Sequence, residues 1–145
     1  MAIRSNKFVL FSVGDKLWAM PLIPGMQFIS ADNITAIPQA SKNFKGLIYN
    51  SGNIVTVLNT FMILKNNFPG VKIKENIKET RQHLLFSFQN DVYSLLISKG
   101  DQTIKVKQVF KNKTKSVFNK YIKLGKDKIY ILYPEDIWRV VKLYD

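Results

Sequence analysis

Few residues in this chain could do chemistry. Its single histidine, His83, lies two positions from Arg81. A lone imidazole makes a zinc site only with other strong ligands at ligand spacing, and none are nearby. As a general base it would need a nucleophile and an orienting acid, and spacing supplies neither. A position at the surface or a strand edge is therefore expected. The acids number ten. Glu135 and Asp136 are adjacent, so on a helix they do not face each other across a substrate, and they read as charges at a helix start. Glu75 and Glu79 could share a helical face but sit in a polar stretch and read as solvated. The absence of cysteine removes disulfides, thiolate zinc sites and a thiol nucleophile. Gly125-Lys126 lacks the preceding glycine of a phosphate-binding loop. The expectation is a binding protein: not an enzyme, with no cofactor and no metal.

Composition is consistent with that expectation. A chain of 145 residues with 46% apolar content suits one domain over 1–145 with a full core. The formal charge is +12 and lysine outnumbers arginine nineteen to three. Such a charge suits an anionic partner (nucleic acid, an acidic protein or a membrane surface). Biased composition is the plainer explanation, since lysine, asparagine and isoleucine are abundant together. Ten lysines lie between Lys99 and Lys128 against Asp101 and Asp127, with Phe110, Phe118 and Tyr121 among them. That interleaving suits single-stranded nucleic acid on a small barrel. It also suits a solvated face over a core that needs those rings, and no ribonucleoprotein motif favours the sharper idea. No segment approaches the roughly 20 apolar residues that span a bilayer. Residues 1–7 run straight into an alternating strand rather than an apolar leader. An unexported, cytoplasmic protein without membrane insertion is expected.

The elements that would present such a binding surface are short strands. Phe8–Val13 and Leu17–Leu22 flank the turn Gly14-Asp15-Lys16 and read as a hairpin. Phe28-Ile29 and Ile34–Ile37 are short extended pieces, the second stopped by Pro38. Phe44–Tyr49 and Ile54–Leu58 flank Asn50-Ser51-Gly52-Asn53, residues that tolerate positive φ. Asn59 can cap a short helix through Leu64. Residues 65–80 are polar and lysine-rich around Pro69-Gly70 and read as a linker. Strands are expected again over His83–Phe88, Val92–Ile97 and Ile104–Phe110. A last hairpin runs over Tyr121–Leu124 and Ile129–Leu132, and a closing helix starts near Pro134.

Leu10–Met20 aligns without a gap on Leu85–Leu95, matching apolar, small and aromatic positions and the turn between them. An internal duplication would give two small units, each too short to be stable alone. The expected fold is all-β with short helices: two five-stranded, SH3-like or OB-like β-barrels sharing a core. The first barrel is placed over about 14–75. The second is placed over about 80–135 with the N-terminal strand added.

The chain resembles the CheW-like domain of bacterial chemotaxis coupling proteins. The resemblance rests on Phe8–Asp15, Ile34-Thr35-Ala36-Ile37-Pro38, Asn43–Ile48 and Gly52-x-Ile54-Val55-x-Val57-Leu58, taken in that order and spacing. It implies two five-stranded barrels and no catalysis. It also implies a bridging role between helical chemoreceptor tips and the regulatory domain of the histidine kinase CheA, beside membrane-bound receptor arrays. Several polar positions depart from the family pattern. Tyr49-Asn50-Ser51-Gly52 stands where Asn-Leu-Arg-Gly is usual, and Asn59-Thr60-Phe61 where Asp-Leu-Arg is usual. Gln27 replaces a frequent glutamate, and Ile97-Ser98 a frequent Val-Asp. The expected protein-binding surface comprises Gln27, Gly46, Tyr49, Asn50, Ser51, Gly52 and Asn53. Tyr49 would anchor it if exposed; alternatively its ring fills the core.

Overall fold

Strand β1 (Lys7–Val13) is apolar at nearly every position because both of its faces are buried. Phe8 and Leu10 enter one core, while Val9, Phe11 and Val13 enter another. This computed structural model describes residues 6–31, 33–38, 41–74, 82–113 and 116–143. After β1 come β2 (Lys16–Pro21), β3 (Gln27–Ser30), β4 (Phe44–Asn50), β5 (Asn53–Leu58) and α1 (Thr60–Asn67). They are followed by β6 (Gln82–Phe88), β7 (Asp91–Ile97), β8 (Lys99–Lys105), β9 (Phe110–Lys111), β10 (Lys120–Leu124), β11 (Asp127–Tyr130) and α2 (Pro134–Leu143). The expected all-β character with short helices is what the chain has. Asn59 caps α1 as expected, its side chain accepting from the Met62 amide at 3.3 Å.

The strands form one five-stranded sheet, β3-β6-β7-β5-β4, and two three-stranded sheets, β2-β1-β8 and β11-β10-β9. These are not the two closed barrels expected. In the five-stranded unit, a single bridge continues the ladder past β4: the Thr35 amide donates to Leu47 O at 2.8 Å and the Leu47 amide to Thr35 O at 2.9 Å. In the other unit, Ala19 bridges Ile131 and joins the two small sheets. Open edges remain at β3, with four residues, and at β9, with two. Nor do the sheets divide the chain near 75–80 as expected. β6 and β7 join β3, β4 and β5, whereas β2 pairs with β1 beside β8. The link is a parallel pairing of β5 with β7, Thr56 opposite Tyr93 and Leu58 opposite Leu95, which local sequence pattern does not encode.

Each unit has its own interior, and a third, larger cluster lies between them. Ile48, Val55, Val57 and Leu85 fill the first, and Phe8, Leu10, Ala19, Ile122, Ile129 and Ile131 the second. Trp18, Phe68, Phe86, Phe118 and Leu132, with Ile63 and Leu64 of α1 and Ile137 and Val141 of α2, make the shared core. The two similar segments are matched hairpins. Phe11 sits opposite Trp18 as Phe86 sits opposite Tyr93, and Leu10 opposite Ala19 as Leu85 opposite Ser94.

His83 is fully buried, not at a surface or strand edge. Its place in β6 puts it on the same face as Leu85, inside the first unit. Its Nε2 lies 3.2 Å from the Ala31 carbonyl oxygen and its Nδ1 3.0 Å from Ser94 Oγ. A carbonyl only accepts, so Nε2 carries the proton and Nδ1 accepts from the Ser94 hydroxyl. Burial pushes the imidazole below its ordinary 6.5, partly opposed by the Ala31 hydrogen bond. The folded state therefore favours the neutral ring. That contribution to stability is complete above pH 6.5 and is lost as pH falls from there to the lowered value. Melting temperature should fall on acidification through this window, by about 4 °C for each kcal/mol lost at this chain size. His83→Gln should flatten that part of the melting profile.

Candidate protein-binding site

The hairpin of β4 and β5 turns on two residues, Ser51 at φ 51° and Gly52 at φ 81°. Positive φ at both central positions is the turn geometry that matches strand twist, and glycine takes it without strain. This turn sets the register. Ile48 opposite Val55 points inward, so Tyr49 opposite Ile54 must point out. Tyr49 is 77% exposed and Ile54 56% exposed, the two most exposed large apolar residues described. Tyr49 is thus free to anchor a contact and does not fill the core. Ile54 is its exposed neighbour. Hairpin parity could have revealed it, since it follows directly from a two-residue turn at Ser51-Gly52.

Beside this pair lies a hollow at the mouth of the five-stranded unit, rimmed by Gly25, Gln27, Asn50, Ser51, Asn53 and Ser87. Its floor is apolar, formed by Val55, Leu85, Phe86 and Val92. Gln27 reaches it because β3 pairs with β6, placing Gln27 opposite Leu85. Four of the expected residues, Gln27, Asn50, Ser51 and Asn53, therefore share one hollow. Tyr49 stands on the adjoining outer face, and Gly52 is exposed at the turn. Gly46 does not join them. It is buried at the Thr35 bridge, at a β-bulge in β4, with φ 149°. Ser87 and Gly25 were not anticipated, because no local pattern marks them. A second hollow, lined by Phe86, Phe88, Tyr93, Ile137 and Trp138, lies where α2 crosses β6 and β7. Phe86 is common to both.

The first hollow can hydrogen-bond and can bury apolar surface, but its lining carries no titratable side chain. The one histidine has both ring nitrogens engaged. Glu135 and Asp136 lie in the first turn of α2. Glu75, Glu79 and Arg81 fall outside the described residues. Among the described residues, no group of three or more histidine, aspartate or glutamate side chains could hold a metal ion. No described helix is long and apolar enough to cross a membrane.

No protein-family model matches the chain. No curated protein matches it either. Among solved structures, it is similar to the scaffolding protein TtCheW from Thermoanaerobacter tengcongensis, with a TM-score of 0.69 at 20% identity over 88% of each chain. The chain has the CheW-like fold.

Proposed function

We propose that this chain is a non-enzymatic scaffold of a chemosensory assembly. In this reading it works in the cytoplasm at receptor arrays, coupling the helical tips of chemoreceptors to the regulatory domain of the histidine kinase CheA. The carrying observation is the fold held in common with a protein described as a scaffold, over 88% of both chains. The exposed Tyr49–Ile54 pair beside a polar-rimmed hollow supports it. An aromatic anchor next to hydrogen-bonding groups is the usual make-up of a protein-binding hot spot.

Titration calorimetry against a CheA regulatory domain and a receptor-tip helical hairpin tests the reading. Binding to at least one is expected, and Tyr49→Ala should weaken it about 30-fold, as loss of roughly 2 kcal/mol at a hot spot does. A folded protein that binds neither would remove the array role. A second reading, a CheW-like domain turned to a different partner, draws on Ser51, which stands where the family resemblance leads one to expect arginine. If Ser51→Arg gains kinase binding that the natural sequence lacks, this second reading is preferred.

A further inference from the structure

One face of the β9–β10–β11 sheet carries three packed rings in a row. Phe110 and Tyr121 have centroids 5.5 Å apart, and Tyr121 and Tyr130 5.9 Å. Lysines cap them: Lys123 Nζ lies 4.5 Å from the Phe110 centroid and Lys128 Nζ 4.8 Å from that of Tyr121. Lys123 and Lys128 sit opposite each other across β10 and β11 on this face, whereas Lys111 and Lys120, opposite each other across β9 and β10, lie on the other. From residue 105 to 128 the sequence has nine lysines, one acid (Asp127) and no arginine. No ion pair engages Lys111, Lys120, Lys123, Lys126 or Lys128 among the described residues. The ring faces hold these ammonium groups in place without neutralising them. Two exposed apolar side chains lie near the same end of the sheet but on its other face: Leu124, at the β10–β11 turn, is 39% exposed, and Val109, one residue before β9, is 38% exposed. The β9–β10 register brings Val109 toward that same end of the sheet.

Single-stranded nucleic acid is the alternative ligand for such a face, but stacking needs open rings. Tyr121 is 9% exposed and Phe118 1% exposed, so these rings are already packed. Lysine offers a point charge rather than the bidentate fork that reads phosphates and bases. A hairpin end that carries exposed lysines and single exposed aliphatic side chains matches an anionic interface instead.

We propose that this end of the sheet, at the β10–β11 turn, docks the protein peripherally on an anionic phospholipid bilayer. Lys123, Lys126 and Lys128 lie among the headgroups, with Leu124 and Val109 at their boundary. The surface is separate from the Tyr49–Ile54 site and does not depend on its partner. Co-sedimentation of the full chain with vesicles tests it, using phosphatidylcholine alone or with about one third phosphatidylserine. Binding should require phosphatidylserine and weaken steeply with added salt. Each lysine near the surface contributes about fivefold, so Lys123→Gln with Lys126→Gln and Lys128→Gln should lower partitioning about a hundredfold. The same charge change at Lys16, Lys72 and Lys74 should lower it far less. All variants should keep the far-ultraviolet circular dichroism of the natural chain, since the side chains changed are exposed. Three results overturn the proposal: no binding to phosphatidylserine vesicles at low salt, equal losses in both triple variants, or displacement from vesicles by an oligonucleotide that binds more tightly.

Discussion

Phe68→Ala should destabilise the protein by about 3–5 kcal/mol, the range for removing a buried aromatic side chain. Phe68 lies just after α1, in a stretch whose composition suggests a linker. Its ring is instead only 7% exposed and meets three others, Trp18 at 4.9 Å, Tyr130 at 5.0 Å and Phe118 at 5.7 Å. These rings come from β2, β11 and the segment before β10, so Phe68 ties α1 to the second unit. Its backbone is fixed as well, the amide donating to Leu64 O at 2.8 Å and the carbonyl accepting from Val71 at 3.0 Å. Alanine would leave these backbone bonds and open a cavity at the point where the elements meet. Urea unfolding should show a lower midpoint at an unchanged slope. A loss below about 1 kcal/mol would show that the ring is not packed as described.

Gly46→Ala should cost roughly 2–5 kcal/mol, from backbone strain and overpacking together. At φ 149° an L side chain is strained whatever the space around it. Space is also lacking. A Cβ here would collide with the Thr35 carbonyl oxygen and lie 2.8 Å from its carbon and 2.9 Å from Ile34 Cγ2. The substitution therefore acts on the bridge that continues the five-stranded ladder past β4. Exchange of the Thr35 and Leu47 amide protons, both bonded across that bridge, should accelerate more than exchange in β6 and β7. Uniform acceleration across the sheet, or none, would contradict this role. Gly46 thus holds the scaffold that presents Tyr49 three residues later.

What was legible in the sequence was local. Turns at Gly14, Ser51-Gly52, Gln89-Asn90 and Gly125 carry positive φ, and each lies where glycine, asparagine or a small polar residue signalled a hairpin. The Asn59 cap and the Pro134 helix start follow from single-residue chemistry. Strand β8 gives no signal over Lys99–Thr103, because it is a polar, largely exposed strand at the edge of its sheet without apolar alternation. The parallel pairing of β5 with β7 leaves no local signature, because it joins segments far apart in sequence. Residue type alone points His83 toward the surface, whereas strand parity with Leu85 puts it inside. The site was partly legible. The Asn50–Asn53 turn marked its rim, but Gln27 and Ser87 meet there only through the β3–β6 and β6–β7 pairings.

The most direct test of the scaffold reading is the chemical-shift map of the labelled full chain on addition of a CheA regulatory domain and, separately, a receptor-tip hairpin. At least one partner should perturb a contiguous set centred on Tyr49, Ser51, Asn53 and Ile54, with Gln27 and Ser87 following across the hollow. No perturbation by either partner, or perturbation confined to the β9–β11 face, would contradict it.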